Sequence, residues 1–149
     1  MPAGYQRFYE GVGALVSGSR TYEFVLGEME RGLEWPYSGK LCWVLTSREL
    51  PVVESDGADI RLINGAVREH IDDVMRSASD NNVWLVGGGN LASQFADEGL
   101  LDEILVTVVP VVLGTGKPLF NRRLARPMAL THVQPFVNGM VELIYNLTR

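Results

Sequence analysis

The segment Val83-Trp-Leu-Val-Gly-Gly-Gly-Asn-Leu-Ala92 constrains this chain more than any other: a short apolar run passes through three consecutive glycines into a helical pattern. Glycine has no Cβ, so the backbone N–H groups of Gly87, Gly88 and Gly89 can approach an anion closely. The positive end of the helix that follows points to the same place. A strand–glycine–helix junction of this kind points to an α/β fold and suits the pyrophosphate of a dinucleotide. Gly87-Gly88-Gly89-Asn90-Leu91-Ala92 also satisfies the Rossmann pattern formally. The next strand, however, ends Val112-Leu113-Gly114-Thr115 without the carboxylate that a Rossmann unit places on the adenosine ribose. A hairpin follows it instead of further strand–helix units. Both points argue against a true Rossmann half, and a preference for NADH would reopen that alternative.

A chain of 149 residues, 46% hydrophobic and 21% charged, can bury a sizeable core, and residues 1–149 are expected to form a single domain. The net charge of -5 comes with no basic stripe, which excludes nucleic acid as an expected partner. Cys42 is the only cysteine and lies in the apolar run Leu41–Leu45, so a buried, reduced thiol is expected. No signal-peptide pattern opens the chain and no apolar run reaches membrane-spanning length; a soluble, cytoplasmic protein is expected. His70 and His132 have no second histidine or cysteine at ligand spacing, so no metal site is expected. Trp35, Trp43 and Trp84 are scattered over separate elements and suit a core or a pocket wall. Asp102 and Glu103 are adjacent, would point to opposite faces of a strand, and cannot converge on one substrate.

Along the chain, Val12–Gly18 has the pattern of a strand and Arg20–Leu26 that of a helix closed by Gly27. Leu41–Leu45 and Asp59–Ile63 are expected as strands, the first ending in the polar cluster Thr46-Ser47-Arg48. Val67, Ile71, Val74, Met75 and Ala78 share one helical face. Val83–Val86 is the next strand and Leu91–Glu98 the next helix, with Gly99 as its stop. Glu103–Leu113 is an almost unbroken β-branched run that calls for burial on both faces at the centre of a sheet. Asn138-Gly139, between two alternating segments, signals an antiparallel hairpin, with Val141, Leu143, Tyr145 and Leu147 on one face.

Several ordered motifs agree with one family. They are Gly18-Ser-Arg-Thr-Tyr-Glu23, Trp35-Pro-Tyr-Ser-Gly-Lys40 ahead of Thr46-Ser47-Arg48, Gly87-Gly88-Gly89 before a helix, Leu101-Asp-Glu-Ile104, and Pro110-Val-Val-Leu-Gly-Thr-Gly-Lys-Pro-Leu-Phe120. From about Phe8 to its end the chain resembles the C-terminal reductase domain of bifunctional riboflavin-biosynthesis proteins. The resemblance implies a three-layer α/β dihydrofolate-reductase-like fold, a mixed, mostly parallel central sheet flanked by helices and closed by the antiparallel C-terminal hairpin. It implies an NADPH-dependent reductase acting on a small heterocyclic or ribosylamino-pyrimidine substrate, of the 5-amino-6-(5-phosphoribosylamino)uracil reductase type. By similarity Gly18, Ser19, Arg20 and Thr21 lie under the pyrophosphate and near the adenosine 2′-phosphate, and Thr46, Ser47 and Arg48 surround the ribose phosphate. Val86, Gly87, Gly88, Gly89, Asn90 and Leu91 hold the pyrophosphate from the other side. The glycine-rich loop with Leu113, Gly114, Gly116 and Lys117 borders the substrate, and a homodimer is implied. The physics of the residues agrees: arginine offers a planar fork to phosphate, hydroxyls add short donors, and no ribose carboxylate repels a 2′-phosphate.

The resemblance further implies a cis peptide between Gly87 and Gly88. It also implies an upstream strand carrying a Ser-Leu-Asp-Gly-like segment, whereas the sequence begins Met1-Pro-Ala-Gly-Tyr5. A truncated sequence, a neighbouring subunit filling the place, or a lost activity would each account for that. No catalytic acid is identified, and the alternative from a different class is a non-catalytic nucleotide-binding or assembly module.

Overall fold

Burial on both faces explains the apolar strands of the first half. In the computed structural model, which describes residues 3–147, strand β1 (Val12–Gly18) carries Val12, Ala14, Leu15 and Val16, each no more than 2% exposed. It lies between β2 (Leu41–Leu45) and β4 (Asn82–Leu85), and β3 (Asp59–Ile63) completes a parallel sheet of order β3-β2-β1-β4. The expected strands at 12–18, 41–45 and 59–63 stand as expected. The chain divides after Leu91 into two compact units, and this sheet is the centre of the first.

Leu15, Cys42 and Ile60 share a register row, and Trp84 pairs with Leu15 from the other side. Over this face pack the helices α1 (Ala3–Glu10) and α2 (Ser19–Glu30), with Tyr22 of α2 1% exposed in a core that includes Val12, Leu15, Trp35, Cys42 and Val44. Tyr5, Phe8 and Tyr9 of α1 all set their rings against Trp84. The opposite face receives α3 (Val67–Ser77): Ser77 Oγ accepts a hydrogen bond from Trp43 Nε1 at 3.0 Å, and the backbone of Ala78 presses on Gly13. A Cβ on Gly13 would stand 2.2 Å from Ala78 O, so only glycine fits where β1 bulges against β4. Cys42 is buried, and its surroundings push the thiol up to about 12.

Helix α2 continues through Gly27, where the sequence suggested a stop. It ends at Glu30, three residues past Gly27, and Gly32 beyond it takes φ +97° while Gly32 N bonds Met29 O and Leu33 N bonds Glu28 O. That pair of bonds satisfies the terminal carbonyls, which Gly27 in mid-helix does not need to do. Gly99 does close α4 (Gly89–Asp97), with φ +71° and the same pair of bonds to Ala96 and Phe95.

The second unit contains β5 (Glu103–Val108), β6 (Met128–Pro135) and β7 (Val141–Leu147) in an antiparallel sheet of order β5-β7-β6. The hairpin forms as expected, with Gly139 at φ +89° and its N–H bonded to Phe136 O. The long run at 103–113 does not stay a strand and is not central. Pro110 has no N–H to continue a ladder, the strand stops at Val108, and Val112 and Leu113 are 98% and 78% exposed. Along β6 the register shifts between Leu130 and His132, so Thr131 is an extra residue opposite β7. Met128, Leu130, Val133 and Pro135 consequently share a face with Val141, Leu143, Tyr145 and Leu147, and with Ile104, Val106 and Val108 of β5. Among the described residues no helix is long and apolar enough to cross a membrane.

Candidate cofactor site

The connections of the parallel sheet reverse direction beside β1. From β1 the chain runs through α2 to β2 on one side, whereas from β3 it returns through α3 to β4 on the other side of β1. The two crossovers diverge at the C-terminal ends of β1 and β4, the switch point at which open α/β sheets bind ligands. Gly18 ends β1 there, and Val86-Gly87 follow β4, with Val86 N still bonded to Val16 O at 2.9 Å.

Gly18 is the N-cap of α2 and supplies no side-chain cap, so the first N–H groups of the helix are not closed off by a capping side chain. A Cβ built on Gly18 or on Gly88 would meet nothing within 4 Å, which leaves the backbone of both junctions open to an approaching group. Gly87 takes φ +75°, and a Cβ there would lie 3.4 Å from Thr21 Oγ1. The β1–α2 and β4–α4 junctions thus come together, and left-handed backbone plus tight contact make glycine the residue for the position. The peptide between Gly87 and Gly88 is trans, as are all peptide bonds among the described residues. The cis peptide implied for Gly87-Gly88 is therefore not present, and the turn at this junction rests on the positive φ of Gly87.

Leu45 pairs with Gly18 in register, so Thr46, Ser47 and Arg48 emerge at the same edge. Thr46 N–H extends the ladder to Ile63 O at 2.9 Å. The Thr46 hydroxyl accepts from Arg48 N–H at 3.0 Å and donates to Arg48 O at 3.1 Å, which fixes the backbone of the turn. The Arg48 side chain reaches α2 and forms an ion pair with Glu23. Arg20 is exposed on the first turn of α2. All residues expected to hold the dinucleotide, from Gly18 to Thr21, Thr46 to Arg48 and Val86 to Leu91, therefore fall in the first unit, at the C-terminal ends of its strands. Leu113, Gly114, Gly116 and Lys117 fall in the second unit, in an exposed segment without regular structure. Glu23 is the residue the sequence did not single out. Its position four residues after Ser19, on the same side of α2, is the signal that was available.

Residues 37–142 match the family description "RibD C-terminal domain". This chain belongs to the RibD C-terminal domain family. Among relatives of this family member, the uncharacterized protein YwjB of Bacillus subtilis strain 168 is 35% identical over 118 residues, which cover 79% of this chain and 64% of YwjB. The uncharacterized protein YyaP of the same strain is 27% identical over 150 residues, covering 96% of this chain and 78% of YyaP. A crystal structure of a putative riboflavin biosynthesis protein from Shewanella sp. PV-4 superposes with a TM-score of 0.78 at 26% identity, over 100% of this chain and 81% of that one. RibD of Acinetobacter baumannii shares the fold at 18% identity and a TM-score of 0.62, with 99% of this chain and 51% of that one covered. The chain has the dihydrofolate-reductase-like α/β fold of these RibD-like structures.

Proposed function

We propose that this chain is an NADPH-dependent reductase that transfers hydride to a small heterocyclic or ribosylamino-pyrimidine substrate. The observation that carries the reading is the switch point itself, where two glycine junctions and two helix starts meet beside Arg20 and Arg48. Open backbone at Gly18 and Gly88 fits a pyrophosphate, and exposed guanidinium groups fit a 2′-phosphate. NADPH supplies the hydride when bound. The chain's own contribution is to hold the dinucleotide by Gly18–Thr21, Thr46–Arg48 and Val86–Leu91, so that its reactive end is oriented and shielded from water. Leu113, Gly114, Gly116 and Lys117 are the proposed substrate contacts. Family membership supports substrates of the uracil-reductase type, and a reducing cytoplasmic setting fits the buried thiol of Cys42.

A homodimer belongs to the same proposal. The sheet face bearing Val108, Leu130 and Val133 carries no charged residue and leaves these three about half exposed, which favours a second copy of the chain as its cover.

Titration of the purified protein with NADPH and NADH, followed by nucleotide fluorescence, tests the cofactor reading. NADPH should bind, and Arg20→Ala should weaken it roughly tenfold by removing a charge-assisted contact. Binding of neither nucleotide would refute the reading; binding of NADPH with no turnover of any substrate in a screen would leave a nucleotide-binding module in its place.

A further inference from the structure

The ion pair between Glu23 and Arg48 places a carboxylate inside a cluster otherwise suited to phosphate. Arg48 is held at its backbone by both hydrogen bonds of Thr46, so the turn is fixed and only the side chain can change partner. Its side chain is 57% exposed and that of Glu23 40%, so the pair sits in water, where such a pair is weak and cheap to break. A phosphate dianion offers the guanidinium fork a bidentate partner stronger than one exposed carboxylate.

We propose that Glu23 sets the preference between the two nicotinamide dinucleotides, by occupying Arg48 until a 2′-phosphate displaces it. The inference rests on the cofactor reading above. A 2′-phosphate gains Arg48 but must separate it from Glu23, and the released carboxylate then stays within reach of the new anion and repels it. NADH carries a 2′-hydroxyl, leaves the pair intact and meets neither effect. Glu23 therefore moderates a preference for NADPH that Arg48 alone would make steeper.

Dissociation constants for NADPH and NADH, measured by fluorescence titration on the wild-type chain and on Glu23→Gln, Glu23→Asp and Arg48→Ala, test this. Glu23→Gln should tighten NADPH roughly fivefold, the size of one exposed ion pair, and leave NADH within about twofold. Glu23→Asp keeps the charge and should keep the wild-type ratio. In an Arg48→Ala background the contest for the guanidinium is gone and only the repulsion by Glu23 remains, so Glu23→Gln should tighten NADPH less than it does with Arg48 present and still leave NADH unchanged. An unchanged ratio in Glu23→Gln, or weaker NADPH binding, overturns the role of Glu23 while the cofactor reading stands. A wild-type chain that binds neither nucleotide overturns both.

Discussion

In the parallel sheet Val12, Leu15, Val16 and Val44 are at most 2% exposed, whereas in the antiparallel sheet Val108, Leu130 and Val133 are 49%, 51% and 52% exposed. Both sets are β-branched or leucine residues in strands, so side-chain type does not account for the difference. Helices do: α1 and α2 cover one face of the parallel sheet and α3 the other, and the crossovers through α2 and α3 bring their own cover with them. A hairpin brings none. An apolar strand built by a helical crossover arrives already covered, while one built by a tight turn leaves its apolar face for something else to cover.

The sharpest way to break this comparison is to spoil the close fit in the first sheet. Gly13→Ala should lower the unfolding free energy by about 3 kcal/mol, because the new methyl meets the backbone of Ala78, which cannot move aside as a side chain would. Urea unfolding followed by tryptophan fluorescence measures it, and a loss near zero would mean that β1 and α3 are not packed as described. A single pH unit into the alkaline range gives a smaller effect of fixed sign. The Cys42 thiol is held up to about 12 and the Tyr37 hydroxyl likewise to about 12, both by burial, against ordinary values of 9.0 and 10.0. Between those limits the unfolded chain gives up protons that the native chain keeps, so stability falls as pH rises above 9 through Cys42, at up to about 1.4 kcal/mol per pH unit, and above 10 through Tyr37 by less, because that half-buried ring is partly screened by water. Unfolding at stepped pH should show that slope, and Cys42→Ala should remove the part that begins near 9. The smallest effect belongs to the second sheet. Leu130→Ser with Val133→Ser should change monomer stability by about 0.5 kcal/mol or less, as exposed positions do, yet abolish the self-association proposed above, read by sedimentation equilibrium of both proteins. A large loss of monomer stability would show that the face is covered within the chain.

The sequence was most legible where cover is supplied on both sides. β1, β2 and β3 have the bounds that their apolar runs suggest, and the apolar face at 67–78 forms α3. It misled at 103–113, where the same residue types continue past the point at which Pro110 ends hydrogen bonding. It was silent on α1, although Tyr5, Phe8 and Tyr9 stand at helical spacing and meet Trp84; a helix of 8 residues has too few turns to outweigh its uncertain ends. In the cofactor region glycines announce themselves, because their use is a property of the backbone at a junction. Glu23 does not: an acid on a helix surface looks like any solvated charge until the fold brings Arg48, 25 residues away, to it.

The extra residue in β6 has a meaning best put as parity. A β-strand assigns odd and even positions to opposite faces, so inserting a single residue ought to exchange inside and outside for everything beyond it. Here Met128 and Leu130 are even-numbered, Val133 and Pro135 odd, and yet all four lie on one side of the sheet, because the bulge at Thr131 absorbs the count. The hairpin can therefore change length by one residue at this place and keep its assignment of faces, which makes Thr131 the position where this strand can be edited without being rewritten.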